Sequence, residues 1–252
     1  MSTLADRPGV GIGHSADRTV PRPAVPPPQE GGGRHSVRCP RLVGTLFHRR
    51  REPPVNTPHL LLLDAAGRGD DAGVRAALAA GADVGARDGE LRTALLLAAL
   101  GDHVQVARTL IAAGADPDAQ DRRHDSPWLV TGVTGSVAMM RTLLRGAPDL
   151  RLRNRFGGVS LIPASERGHV AYVRAVLRET DIEVDHVNDL GWTALLEAVI
   201  LGDGGQDHQE VVALLLAAGA DPQLADSEGV TPLRHAERRG FEEIAGLLRG
   251  TR

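Results

Sequence analysis

The sequence predicts an all-α solenoid of about six stacked repeats, and two observations lead to this prediction. The tripeptide Gly-Ala-Asp occurs three times, at residues 81–83, 114–116 and 219–221. A second set of equivalent positions keeps nearly the same step, with spacings of 33, 33, 33, 34 and 38 residues: Leu60, Thr93, Ser126, Val159, Thr193 and Thr231. A fixed period between about 20 and 50 residues is the signature of a repeat architecture, in which each unit packs against its neighbours.

Each unit is predicted to be a helix, a turn, a second helix and an extended loop, as the second unit illustrates. Thr93 can cap a helix N-terminus, and the Ala98-Ala99 pair leaves room for a neighbouring helix. Apolar residues in the segment 104–111 form one stripe at helical spacing, which predicts the second helix. Gly114 is free to take the positive φ that ends a helix. Pro117 disfavours helical geometry in the residue before it, so the chain then has to run extended.

These units resemble the ankyrin repeat. Its pattern runs roughly D-x-x-G-x-T-P-L-H-x-A-A-x-x-G-H, followed by an apolar second helix and L-L-x-x-G-A-D. The best match is the segment 226–236, Asp-Ser-Glu-Gly-Val-Thr-Pro-Leu-Arg-His-Ala, with Gly240 in its expected place. Several motifs in register over residues 56–250 carry the resemblance. It implies an ankyrin repeat domain over residues 56–252.

Units one, three and four depart from this pattern. Unit one has four leucines, residues 60–63, in place of Thr-Pro-Leu-His, and unit four ends in Thr-Asp-Ile at 180–182 without the usual glycine. Unit three departs at the turn glycine, the core leucine, the alanine pair and the final glycine, which are replaced by His124, Trp128, Thr131-Gly132 and Ala147. Because such arrays are stabilised by contacts between neighbours, we expect a local weak point at units three and four.

Residues 1–55 differ in composition from the rest of the chain. They hold 9 of the 16 prolines and carry 9 arginines against 4 acidic residues, a net charge of +5, whereas the remainder has a net charge of −8. Neither a helical nor a strand period is present there, which predicts a disordered Pro/Gly/Arg-rich extension. The segment could be a proline-rich ligand, a basic tether, a passive tail, or a leader that is not translated because synthesis starts near Val55.

Composition also narrows the function classes. The single cysteine, Cys39, can build neither a disulfide framework nor a cysteine zinc site. The sequence has no secretory-type apolar segment and no apolar run of membrane length, which predicts a cytoplasmic protein without a membrane partner. The net charge of −8 after residue 55 argues against nucleic-acid binding through phosphates.

No enzyme signature is present, so we predict a protein that is not an enzyme and uses no cofactor or metal. His103, His169 and His208 occupy the same repeat position, which predicts a structural role for all three. The segment 203–210 is acidic and glycine-rich and offers oxygen ligands that calcium prefers, but its spacing does not fit the twelve-residue calcium loop. We interpret it as a solvated insertion between the two helices of unit five, or as a partner-contact loop. A small-ligand or metal-binding accessory protein that uses this loop is the alternative function.

The resemblance implies a binding surface. In the ankyrin family, partners usually contact the hairpin tips and the concave side formed by the first helices. The predicted function is therefore a non-catalytic protein–protein interaction module or scaffold, a monomer that binds a protein partner. Trp192 and Phe156 stand out because aromatic residues and arginine are enriched among interface hot spots, whereas Trp128 takes a leucine position and is expected in the core. The predicted contact residues are Arg92, Arg122, Arg123, Asp125, Arg155, Phe156, Glu166, Arg167, Asp189 and Trp192.

Overall fold

The computed structural model describes residues 57–250, and the regular elements of that range are helices. The first helices of the six units are α1 (Thr57–Arg68), α3 (Ala94–Leu100), α5 (Pro127–Thr134), α7 (Leu161–Glu166), α9 (Ala194–Ile200) and α11 (Pro232–Arg239). The second helices are α2 (Asp71–Ala79), α4 (Val104–Ala112), α6 (Val137–Leu143), α8 (Val170–Glu179), α10 (Gln206–Ala217) and α12 (Glu242–Gly250).

The helices form two layers. Consecutive first helices pack against each other, consecutive second helices do the same, and each first helix also packs against a second helix. Leucine, alanine and valine fill the space between the layers, and Trp128 and Tyr172 are the largest fully buried side chains. The core position expected for Trp128 is therefore confirmed, and so is the predicted all-α solenoid of repeated helix pairs.

Several residues that the period singled out begin or end helices. The hydroxyl oxygens of Thr93, Ser126 and Thr193 each accept a hydrogen bond, at 3.2 Å, from the backbone N–H three residues later. These bonds satisfy a backbone donor that has no partner inside the helix. At the other end of the unit, Gly114 has a φ of 87° and Gly219 a φ of 93°, the left-handed geometry expected of a glycine that terminates a helix.

Units one and four begin differently from this scheme. Helix α1 begins at Thr57, so Leu60 lies inside the helix and not at its N-terminus. Leu62, 33 residues before Leu95, is fully buried as Leu95 is, which confirms the repeat register of unit one. Helix α7 begins at Leu161, two residues after Val159, because valine has no side-chain acceptor that could cap the helix.

The two units without a final glycine end in different ways. Ala147 follows a short 3-10 turn, Leu144–Gly146, and keeps the positive φ of the missing glycine at 51°. Thr180 instead turns extended, with a φ of −139°, and its hydroxyl donates a 2.6 Å hydrogen bond to the carbonyl oxygen of Val176. The end of unit three thus keeps the positive φ of the repeat, whereas the end of unit four has an extended residue in its place.

Part of the sequence-based prediction lies outside the described residues. This holds for the extension at 1–55, with Cys39 and Val55, and the boundary at residue 56 stays a prediction. Within residues 57–250, no helix has the length and apolar character needed to cross a membrane.

Candidate functional site

Each hairpin tip is held by one Asp or Asn at its base. The Asp88 carboxylate accepts the backbone N–H of Glu90 at 2.8 Å and that of Arg92 at 2.9 Å. The same side chain-to-backbone pattern, two and four residues on, recurs at four later bases: Asp121, Asn154, Asn188 and Asp226. Because each base residue fixes two amides, the side chains between them project from a defined backbone.

The tips of neighbouring units are joined into a row. The backbone N–H of Arg122 donates to the carbonyl oxygen of Glu90 at 3.1 Å, and the N–H of Asp189 donates to the carbonyl oxygen of Phe156 at 2.9 Å. Asp125 lies between two arginines, 3.9 Å from Arg123 and 3.7 Å from Arg155. We call residues 89–92, 122–125, 155–158 and 189–192 the hairpin row.

Aspartates of the same hairpins partly compensate the positive charge of the arginines in the hairpin row. The Arg92 guanidinium lies 2.8 Å from the carboxylate of Asp88 at its own hairpin base. Burial raises the pKa of Asp125, and the Asp121 carboxylate adds to this, while Arg155 and Arg123 oppose it. The Arg155 guanidinium also lies over the Phe156 ring, 4.6 Å from the ring centroid. The row therefore presents both signs of charge beside an aromatic ring.

Apolar surface is exposed at the tips of units four and five. Phe156 and Leu190 are each 50% exposed, and the Phe156–Asp189 hydrogen bond keeps their two hairpins together. Trp192 is half-buried at the base of the same hairpin. Leu190 is absent from the ten predicted contact residues. It occupies the hairpin position of unit five that Phe156 occupies in unit four, two residues after the base asparagine, so its exposure could have been expected.

The ten predicted residues do not all lie together. Eight belong to the hairpin row, but Glu166 and Arg167 lie at the C-terminal end of α7. The carbonyl oxygen of Glu166 accepts a 2.9 Å hydrogen bond from Nε2 of His208, which ties this end of the helix to unit five. Glu166 is half-buried and Arg167 is exposed.

A buried carboxylate that the sequence reasoning missed lies below the fifth hairpin. Glu197 is 6% exposed, and its Oε1 accepts a 2.8 Å hydrogen bond from Nδ2 of Asn188. Burial raises the pKa of Glu197 to about 7, and the Glu166 carboxylate adds to the shift. The sequence does contain a sign of this buried carboxylate, because unit five has a glutamate at the position where unit two has the apolar Leu97.

The structural role predicted for the three histidines is confirmed. Nε2 of His103 lies 3.2 Å from the carbonyl oxygen of Gly67, and Nε2 of His169 lies 3.1 Å from that of Val133. His208 makes the third such contact, with Glu166. Each ring joins the start of a second helix to the end of the preceding unit's first helix.

The segment 203–210 is only partly the loop that was predicted. Gln206 begins α10, so residues 206–210 are helical and the insertion lengthens that helix. Oδ1 of Asp203 accepts the backbone N–H of Gly205 and lies 2.8 Å from Nδ1 of His208. Glu210 forms an ion pair with Arg174. Among residues 57–250, no group of three His, Cys, Asp or Glu side chains is placed to hold a metal ion, and no contact favours the alternative function.

Comparison with known proteins agrees with this geometry. A family model described as ankyrin repeats (3 copies) matches residues 130–226 and 164–251, and one described as ankyrin repeats (many copies) matches residues 62–111. The chain belongs to the ankyrin-repeat family. Ankyrin repeats are generally protein–protein interaction modules, and the family is generally non-enzymatic.

Solved ankyrin repeat structures extend this result. An ankyrin repeat domain from Acinetobacter baumannii AYE is 46% identical, covers 75% of this chain and 96% of that one, and superposes with a TM-score of 0.72. The ankyrin repeat protein EF0377 is 37% identical over 77% of this chain and 98% of its own, with a TM-score of 0.74. The ankyrin repeat domain of human ASB11, at 24% identity and a TM-score of 0.65, shares the fold.

A curated bacterial relative matches part of the chain. The ankyrin repeat protein YahD of Escherichia coli (strain K12) is 56% identical over 72 residues, which is 29% of this chain. The match spans about a third of that relative, 36% of its length.

Proposed function

We propose that this ankyrin-repeat protein is a non-catalytic scaffold that binds a protein partner through the hairpin row and the adjoining first-helix side. The observation that carries the proposal is the joined row of hairpin tips, which exposes Phe156 and Leu190 beside arginines of several units. We also propose that the protein is a monomer and acts in the cytoplasm, as the sequence predicts.

The chemistry of the row supports a protein partner in preference to a polyanion. Aromatic side chains and arginine are enriched among interface hot spots, and the row exposes Phe156 beside several arginines. Acidic side chains, Asp125 and Asp189, alternate with the arginines, so the surface can complement a partner of mixed charge. The hydrogen bonds from each hairpin base also hold the tips in place before binding, which lowers the entropic cost of association.

The proposal is tested by removing three side chains of the row together. The full chain is used to capture partners from the native host, the captured protein is identified and purified, and its Kd is measured directly. We expect Arg123→Ala with Phe156→Ala and Trp192→Ala to weaken binding by about 100-fold or more, since hot-spot side chains each contribute more than about 1 kcal/mol. Far-UV circular dichroism should remain that of the parent.

A matched control removes comparable side chains elsewhere. Leu247 is 37% exposed on the second helix α12, and two exposed arginines lie on the same side of the repeats, Arg145 after α6 and Arg178 on α8. Replacing all three by alanine should leave the Kd within about twofold of the parent, because interface side chains outside hot spots contribute little. A hairpin-row variant that binds as tightly as this control would refute the proposed surface.

A further inference from the structure

The second-helix layer carries an arginine at one position of four consecutive units. These residues are 33 positions apart and exposed: Arg75, Arg108, Arg141 and Arg174. They lie on α2, α4, α6 and α8, which pack side by side in that order. Packed helices lie about 8–10 Å apart, so the four guanidinium groups form a row of like charge. We call this row the arginine ladder.

Two grooves open between the helices of the ladder. The first, about 410 Å³, lies between α2 and α4 and is flanked by Arg75 and Arg108. The second, about 460 Å³, lies between α6 and α8 and is flanked by Arg141 and Arg174. Apolar side chains contribute to both linings: Leu78, Ala112 and Ala113 in the first groove, and Val137, Val170, Ala171 and Ala175 in the second.

The grooves are positive although the repeat region as a whole is negative. The first lining contains two arginines and no acidic residue, and the second contains three arginines and Glu179, so each lining has a net charge of +2. The adjoining carboxylates of Asp71 and Glu210, which pair with Arg75 and Arg174, reduce this to +1 at each groove. The residues after 55 together carry −8. Most acidic side chains of the repeat region lie outside the two grooves, so the grooves are locally positive.

The guanidinium groups of the ladder remain available to a partner. Arg141 pairs with Glu179 at 2.7 Å, Arg75 pairs with Asp71 at 2.9 Å, and Arg174 pairs with Glu210, but these three arginine side chains are 59%, 60% and 46% exposed. Exposed ion pairs contribute about 0–1 kcal/mol, so a partner's carboxylate can replace the internal one at little cost. The Arg108 guanidinium has no ion pair and no hydrogen bond with another residue in the range 57–250.

We propose that the arginine ladder is a second docking surface, which binds an acidic protein segment. Carboxylates of the segment contact the guanidinium groups, and its apolar side chains enter the two grooves. The apolar linings favour a protein segment over a nucleic acid or an anionic membrane, because a phosphate backbone has nothing to insert there. This surface lies on the second-helix layer and does not depend on the hairpin row.

The test uses the full chain and a labelled synthetic peptide. Two grooves two units apart are separated by about 20 Å, which an extended peptide spans in about six residues. The probe is therefore a fluorescein-labelled glutamate peptide with two leucines about six residues apart, followed by fluorescence anisotropy at low salt. Replacing Arg108 and Arg174 by glutamine should weaken its binding by about tenfold.

Two controls separate the ladder from bulk charge. Arg151→Gln with Arg238→Gln removes the same charge from exposed sites outside the ladder and should change the Kd by less than about twofold. Ala171→Phe fills the second groove without altering charge and should weaken the leucine peptide several-fold. The hairpin-row triple variant should bind the peptide like the parent, so this test and that of the proposed function can fail separately.

Three results would overturn the inference. One is equal binding of the peptide by the ladder and control variants. Another is equally tight binding of a peptide in which serine replaces both leucines, because the grooves would then contribute nothing beyond charge. The third is tighter, ladder-dependent binding of RNA or phosphatidylserine vesicles. Circular dichroism of every variant must match the parent.

Discussion

Units two and three have nearly the same backbone but are built from different residues. Unit two follows the family pattern, with Ala98-Ala99 facing its neighbour and Gly114 at its end. Unit three has Thr131-Gly132 and Ala147 at these positions, yet it keeps a capped first helix and a positive φ at its end. The neighbouring units therefore impose the backbone, and a residue that departs from the repeat pattern must either fit that backbone or be strained by it.

The alanine pair of unit two is replaced in unit three by a polar contact. The Thr131 hydroxyl donates to the carbonyl oxygen of Trp128 at 2.7 Å, so the Tyr172 hydroxyl, 2.8 Å away, donates to Thr131. Tyr172 is buried, and burial raises its pKa to about 12. Gly132 meets the backbone of unit four so closely that a Cβ would stand 1.9 Å from the carbonyl oxygen of Ser160.

The largest effect on stability is expected from a neutral residue in place of Glu197, which is equivalent to Leu97 of unit two. The folded-state pKa of Glu197 is about 7, above its ordinary 4.5, so its contribution to stability is complete below pH 4.5 and is lost as pH rises towards 7. Glu197→Gln should therefore stabilise the protein above pH 7 by up to about 3 kcal/mol, while Asn188 still has an oxygen to bond.

Denaturant unfolding at pH 5 and pH 8 checks this prediction. The variant should gain stability over the parent at pH 8 and much less at pH 5. Glu228→Gln, which alters an exposed carboxylate of the sixth hairpin, should show no such dependence. An equal gain from Glu197→Gln at both pH values would contradict the account.

Gly132→Ala should have the next largest effect, a destabilisation of about 2–3 kcal/mol. The new methyl group would overlap the Ser160 carbonyl, and backbone cannot move aside as a side chain can. The matched change in unit two, Ala99→Gly, should cost about 1–2 kcal/mol through helix propensity and the loss of one buried methyl group. Chemical denaturation followed by Trp128 fluorescence measures both, and similar losses would show that the two units tolerate the exchange alike.

A reciprocal exchange tests the strain at the ends of the two units. Ala147 has a φ of 51°, so Ala147→Gly should stabilise the protein by about 0.5–1 kcal/mol. Gly114 has a φ of 87°, and a Cβ there would meet no atom within 4 Å, so Gly114→Ala should destabilise by about 1 kcal/mol through the backbone alone. Thermal midpoints that shift in the same direction would exclude this explanation.

The smallest effect is expected from Tyr172→Phe. It removes one buried hydrogen bond between units three and four, worth about 0.5–1 kcal/mol, and leaves the Thr131–Trp128 bond in place. If unfolding has more than one transition, the transition with the lowest midpoint should shift most. A double-mutant cycle with Thr131→Ala measures the coupling, and a coupling of zero would mean that the two hydroxyls do not interact.

Helix ends and core positions were predictable because they depend on one unit at a time. Thr93 caps a helix through its own hydroxyl, and Gly114 ends one because glycine tolerates a positive φ. The 33-residue period then predicts the equivalent positions in other units. The positive φ of Ala147 and the need for Gly132 arise from contact between units, which no single repeat encodes. The same holds for the hairpin row: its residues follow from the pattern, but the bond from Asp189 to Phe156 depends on how two hairpins align.

The Asp or Asn at each hairpin base has a consequence for how such a surface changes over time. It secures the tip through backbone amides, so exposed side chains such as those of Phe156 and Leu190 are not needed to hold the shape. Those side chains can therefore be exchanged freely without rebuilding the scaffold. A new partner needs only a new set of tip residues, whereas loss of one base residue would loosen every contact its hairpin makes.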